Sequence, residues 1–218
     1  MARTSERRRV AMMSRCRAAC RAWPAWMPLL VALLLPAMAL PVQADEPLAD
    51  VDLPLRWRFE ADNSRIDFAL AALGLFGIHG SFPRFEGESW SDPADRLWRI
   101  ETRIDATSLS IRPERYLGWA RSSEFFDVQR YPQIRFRSDP APESLLREGG
   151  ELSGRLLMRG VERPVRFEVA PAQCEADMRA CLIRVTGEIN RRQFGMDSRR
   201  MTLSSRVALS LQLLAVPQ

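Results

Sequence analysis

ELSGRLLMRGVERPVRFEV, residues 151–169, alternates at a period of two: Leu152, Gly154, Leu156 and Met158 share one face, and Ser153, Arg155, Leu157 and Arg159 the other. A two-residue period with one drier face is the pattern of a half-buried strand. Arg159-Gly160 interrupts it, and Val165, Phe167 and Val169 resume the alternation against Arg166 and Glu168. Pro164 stands near the start of the second run, where a missing N–H is tolerated. The stretch therefore predicts an antiparallel hairpin with a glycine-containing connection.

Working outward, the same period recurs. Residues 56–60 form a short first strand, and Ile66, Phe68 and Leu70 alternate after an Asp62-Asn63 turn. Residues 71–85 carry Gly74, Gly77 and Gly80, and glycine within strand-like sequence marks bulges or close backbone approach. Trp98, Ile100, Thr102, Ile104 and Ala106 oppose Arg99, Glu101, Arg103 and Asp105, the cleanest alternation in the chain. Residues 121–128 predict a short helix capped by Ser122 or Ser123. Ile134 and Phe136, then Cys181 to Ile189, and finally Val207, Leu209, Leu211 and Leu213, complete the set. Eight or so strands with little helix imply an all-β domain, and long strands with internal glycines favour a closed barrel over a sandwich.

The N-terminus is of a different kind. Seven arginines precede an uncharged apolar run at 27–40, too short for a comfortable membrane span, and Val42-Gln43-Ala44 offers small residues before Asp45-Glu46. Residues 1–44 are expected to be a Sec signal peptide cleaved near Ala44, residues 45–55 a flexible leader, and residues 56–218 the folded domain; the expected location is the periplasm. Removing 1–44 takes seven Arg and one Glu from 32 basic and 27 acidic residues, leaving 25 against 26. The basic pI belongs to the export signal, so the composition gives no reason to expect nucleic acid as a partner. Cys174 and Cys181 remain, flanking a short loop between strand-like runs, and in an oxidising compartment they are expected to form a disulfide.

Four stretches carry a family resemblance. They are Gly80-Ser81-Phe82 with Phe85-Glu86-Gly87; Ser122 with Phe125-Phe126-Asp127-Val128, Tyr131-Pro132, Ile134 and Phe136; Gly154-Arg155-Leu156 with Arg159-Gly160-Val161 and Pro164-Val165; and Asn190-Arg191 with Phe194-Gly195-Met196. In this order they resemble the YceI-like family of bacterial secreted proteins. The resemblance implies a single extended antiparallel eight-stranded lipocalin-like β-barrel with one or two short helices. It also implies a long apolar ligand in the lumen: a polyisoprenoid, an isoprenoid quinone or a fatty-acid derivative. The chain departs from the family pattern at Tyr116-Leu117-Gly118-Trp119-Ala120, at Asn63 and at Ala72, which bears on the polar end of such a ligand.

About ten residues at ~3.3 Å, tilted by roughly 40°, make a lumen about 25 Å tall, which suits a chain better than a compact metabolite. The candidate lining is Phe68, Leu70, Phe76, Ile78, Phe82, Trp98, Ile100, Phe125, Phe126, Phe136, Leu156, Met158 and Phe167, a set that equally suits plain core packing residue by residue; Tyr116, Trp119 and Arg121 form either the mouth or an ordinary solvated loop with an aromatic anchor. Arg191 and Arg192 are within the class of residues that bind a phosphate or carbonyl head, but fit a solvated strand end better. No cofactor is expected beyond the bound lipid, no metal site, and no enzymatic activity: His79 is the single histidine, set among apolar and glycine residues, and every His-based arrangement would depend on it. Two functions are consistent with the sequence. One is carriage or storage of a long-chain lipid or isoprenoid quinone. The other is a non-enzymatic interaction module with a filled core, acting beside a membrane redox or stress-response protein. Dimerisation through exposed strands or the Trp119 loop is left open.

Overall fold

Residues 56–218, apart from Pro93, are described by a computed structural model. The expected export signal and leader lie outside the described residues. Six strand segments come first: β1 (Arg56–Phe59), β2 (Arg65–Ala72), β3 (Phe76–Ser81), β4 (Phe85–Ser91), β5 (Trp98–Asp105) and β6 (Ser110–Arg112). The helix α1 (Leu117–Arg121) and β7 (Gln133–Ser138) follow, then α2 (Ser144–Glu148), β8 (Gly150–Met158) and β9 (Val161–Val169). The last three strands are β10 (Gln173–Cys174), β11 (Cys181–Asn190) and β12 (Arg206–Pro217).

Antiparallel pairing runs β1–β4–β5–β7–β8–β9–β11–β12, and β12 pairs back onto β1. The result is a closed eight-stranded antiparallel β-barrel. Closure pairs every stave with a neighbour on both sides over at least part of its length, which limits the open edge on which another chain could add a strand. Three staves are broken: β1 continues into β2 past the turn Ala61–Asn63, β3 into β4 past 82–84, and β5 into β6 past the turn Ala106–Ser108. The breaks adjoin one another. Phe82 N–H donates to the Ile66 carbonyl, Arg84 N–H to Ser108 Oγ, and Asp105 N–H to the Arg84 carbonyl.

Residues 151–169 form the hairpin that the alternation requires, with Met158 opposite Val161 and Arg155 opposite Pro164. Arg159 (φ 54°) and Gly160 (φ 72°) form its turn, and two successive positive φ values match the right-handed twist of the strands. Pro164 donates nothing, and β9 pairs with β11 only at Phe167 to Val169, so its outer side needs no donor. Inward residues of every stave make one core, including Phe59, Ile66, Ile104, Leu152, Phe167, Ile183 and Leu213.

The expected helix at 121–128 is displaced. The helix is α1, at Leu117–Arg121, and it stops because Ser122 Oγ bonds back to the Trp119 carbonyl at 2.7 Å while the Ser122 backbone turns extended. Residues 122–128 instead close as turns, with Phe125 and Asp127 N–H both on the Ser122 carbonyl. The Cys174–Cys181 disulfide closes the loop between β10 and β11, whose two cysteines are also a cross-strand pair.

Candidate ligand-binding lumen

The meander sorts the connections by end. Residues 73–75, 113–132, 159–160 and 191–205 lie at one end, called the upper rim; 92–97, 139–149 and 170–180 lie at the other, the floor. Between them runs a cavity of about 180 Å³, bounded near the floor by Trp98, Ala141, Leu145 and Leu146 and near the rim by Tyr116, Trp119, Met196 and Leu203. Dry apolar cavities of about 150 Å³ take up benzene, so at roughly 25 Å³ per carbon this space holds about seven carbon atoms as it stands. A longer chain must displace lining side chains.

Of the fifteen residues expected to line a lumen, fourteen do: Phe68, Leu70, Ile78, Phe82, Trp98, Ile100, Tyr116, Trp119, Phe125, Phe126, Phe136, Leu156, Met158 and Phe167. Phe76 does not. It shares the inward parity of Ile78, but it lies one rung beyond the lumen, paired with Ala72 beside the turn, and is 64% exposed. Strand parity predicts a direction, whereas burial also needs a facing wall, and the wall ends below Phe76.

Near the rim the lining aromatics pack in two groups. Phe68, Phe82 and Phe126 meet at centroid separations of 5.4 to 5.9 Å. Trp119 stands edge-on to Phe125 at 4.1 Å, and its Nε1–H donates to Glu124 at 2.9 Å. Lower down, Phe136 and Phe167 contact each other at 5.3 Å. Inward glycines make room for these rings: a Cβ at Gly80 would collide with Phe68, one at Gly154 with Phe136, and one at Gly187 with Phe167.

Arg191 departs from the solvated position expected for it. It is 2% exposed and, among the described residues, is the one charged residue on the cavity wall. Its Nε donates to the Ser204 carbonyl at 2.8 Å, one terminal nitrogen to the Met196 carbonyl, and the other to the Leu203 carbonyl at 3.2 Å. Its guanidinium carbon sits 5.7 Å from the Phe125 ring centroid. Burial, with Arg192 and Arg200 nearby, lowers its pKa from the usual guanidinium value, and Asp197 opposes the shift. The missed signal lay in Arg191-Arg192-Gln193-Phe194: a 3-10 turn (Arg191–Phe194) points Arg191 and Phe194 inward and leaves the two residues between them exposed. The floor helix α2 was also missed, since five residues carry too little periodicity to register.

His79 alternates outward from Ile78 and is exposed on the outside of the β2–β3–β6 sheet. Among the described residues, no three His, Cys, Asp or Glu side chains gather closely enough to hold a metal ion.

Residues 57–215 match the YceI-like domain. The chain belongs to the YceI-like family. A UPF0312 protein of Pseudomonas putida is 32% identical over 111 residues, which cover 50% of this chain and 57% of the relative. A YceI protein of Salmonella arizonae is 28% identical over 112 residues. The chain thus spans little more than half the length of the curated relatives it matches. Among solved structures, Burkholderia cenocepacia BcnA superposes with a TM-score of 0.61 at 19% identity, covering 72% of this chain and 98% of that one. A polyisoprenoid binding domain from Saccharophagus degradans superposes with a TM-score of 0.58 at 14% identity, covering 74% and 98%. At these identities the YceI-like barrel is shared as a fold.

Proposed function

We propose that this YceI-like barrel is a periplasmic, non-enzymatic binding protein for a molecule with a long apolar chain, a polyisoprenoid, isoprenoid quinone or fatty-acid derivative, held for carriage or storage. The observation that carries this is the lumen wall itself, apolar from Trp98 near the floor to Trp119 at the rim, with Arg191 its one charge among the described residues. Each buried CH₂ contributes about 0.8 kcal/mol, so a tail of roughly twenty carbons offsets its ordering cost with few polar contacts. The buried guanidinium favours a ligand whose head is anionic or bears a carbonyl, lodged at the rim end. The structural neighbour from Saccharophagus degradans, a polyisoprenoid binding domain, supports the ligand class. The disulfide and the export-like N-terminus support an oxidising compartment.

Mass spectrometry of organic extracts from protein purified out of its native source tests the proposal. A stoichiometric prenyl or fatty compound is the expected result; a clean extract, with no uptake of added prenyl phosphate, overturns it. One observation favours a second function: the 180 Å³ cavity is small for a twenty-carbon tail. A barrel that stays filled would act as an interaction module beside a membrane partner, and the clean extract is its expected result.

A further inference from the structure

Among the described residues, the large apolar side chains that stand out in solvent are Leu73 (62% exposed), Leu75 (84%), Phe76 (64%) and Met201 (95%). All four lie at or directly beside the upper rim. Leu73 and Leu75 occupy the β2–β3 turn, Phe76 opens β3 beside it, and Met201 is in the 191–205 connection that this turn is bonded to: Leu73 N–H donates to the Thr202 carbonyl at 2.7 Å, Ser204 N–H to the Ala71 carbonyl at 2.9 Å, and Ala72 bridges Leu203. They therefore form one tip, not four scattered positions. Leu73 also holds φ at 51°, next to Gly74 at 70°. A turn facing water would place Asn, Asp or Gly there, since a leucine in the left-handed region costs backbone energy and gains nothing from solvent.

Charge is segregated toward the same end. The rim residues 73–75, 113–132, 159–160 and 191–205 hold eight arginines against four acids, Glu114, Glu124, Asp127 and Asp197. The rest of residues 56–218 holds seventeen arginines against eighteen acids. Arg192, Arg199 and Arg200 are exposed beside Met201, with Asp197 paired to Arg200 at 3.1 Å. Tyr116 and Trp119, half-buried, sit where the tip meets the lumen, and Arg199 lies over the Trp119 ring at 5.3 Å. Exposed apolar side chains flanked by Arg192, Arg199 and Arg200, with Trp119 and Tyr116 toward the lumen, match the depth profile of a bilayer surface that carries anionic headgroups.

We propose that the upper rim docks on an anionic lipid bilayer, inserting Leu73, Leu75, Phe76 and Met201 among the headgroups and bringing the mouth of the lumen to the membrane. Bound this way, an apolar chain passes between bilayer and lumen without crossing water. The docking stands on the tip and the charge asymmetry, separately from the lumen's contents.

Flotation of the full-length chain with vesicles of phosphatidylethanolamine and phosphatidylglycerol, against vesicles of phosphatidylcholine alone, is the test. Any contribution of residues 1–55 is common to every variant. Leu75→Ser with Phe76→Ser is expected to reduce binding at least about tenfold, Met201→Gln to reduce it less, and Arg192→Ser with Arg200→Ser to abolish the preference for the anionic vesicles. Arg96→Ser with Arg147→Ser, at the floor, is expected to leave binding unchanged. Thermal unfolding checks that each variant is folded. Unchanged binding in folded tip variants, or equal loss in the floor variant, overturns the proposal. So does a dimer in sedimentation that the tip substitutions dissociate, with no vesicle binding by the parent. Prenyl phosphate uptake in vesicle-free solution is measured in parallel, so failure of docking is distinguished from failure of ligand binding.

Discussion

The ring of Phe68 occupies the space that a side chain on Gly80, its partner across the β2–β3 ladder, would fill. The glycine lets an aromatic ring lie against the barrel wall instead of projecting into the cavity. Gly80→Ala pushes that ring off its rotamer and toward Phe82 and Phe126. A destabilisation of about 1–3 kcal/mol is expected, the usual cost of overpacking a core. Denaturant unfolding measures it; a change within a few tenths of a kcal/mol would show that Phe68 can move freely.

Arg191 should be hard to replace. Arg191→Met keeps much of the volume but leaves the Met196, Leu203 and Ser204 carbonyls without their donor. A buried acceptor left unpaired costs about 1–3 kcal/mol, so a loss at the upper end of that range or beyond is expected. Arg191→Lys should recover only part of it, because one ammonium cannot reproduce the guanidinium fork. Equal stability of the two variants in thermal unfolding would refute the role of the fork.

Filling the cavity separates a binding lumen from a permanently packed one. Ile134 is 5% exposed and lines the cavity wall on β7. Ile134→Trp is expected to fold with a penalty of about 1–3 kcal/mol and to lose prenyl phosphate uptake at least tenfold. Fluorescence titration measures the uptake. Full retention of uptake would move the ligand out of the lumen.

Asp105 supplies a pH signature. Its carboxylate accepts hydrogen bonds from Thr107 Oγ1 at 2.6 Å and Thr107 N–H at 2.8 Å, and from Arg84 Nε at 2.9 Å. These hold its pKa below the ordinary value, Thr107 most strongly, against the opposing effect of burial. A carboxyl whose pKa falls on folding contributes stability above its unfolded pKa of about 3.9 and loses it as pH falls through the folded value. Asp105→Asn should therefore lower Tm at neutral pH, and the gap from the parent should close below about pH 4. A gap that is constant with pH would assign the effect to shape alone.

The barrel was legible because its staves alternate, and alternation is a local property. Residues 151–169 fix the register by themselves, through a turn needing two positive φ values and a proline where no donor is wanted. What the sequence hid depends on three-dimensional neighbours. Phe76 has the right parity but no opposing wall. Arg191 looks like a strand-end cation until the 191–205 connection folds over it and offers three carbonyls. The helix moved because Ser122, which resembles an N-cap, bonds backward to Trp119 and ends α1.

The three adjoining stave breaks give the barrel a grain. Below them the eight staves are laced all the way round by backbone hydrogen bonds. Above them, β6 pairs with β3 but not with β7, and β9 meets β11 only over its last three residues. Two seams result, one covered by residues 113–132 and the other crossed by Arg159 and Arg163 reaching the Gly195 and Gln193 carbonyls. Side chains and loops can part without unravelling a ladder, so the molecule frays from one direction. Amide protons of Ser110–Arg112 and of the first half of β9 should exchange sooner than those of β4 and β5. The broken staves thus make the rim the yielding end of an otherwise stiff vessel.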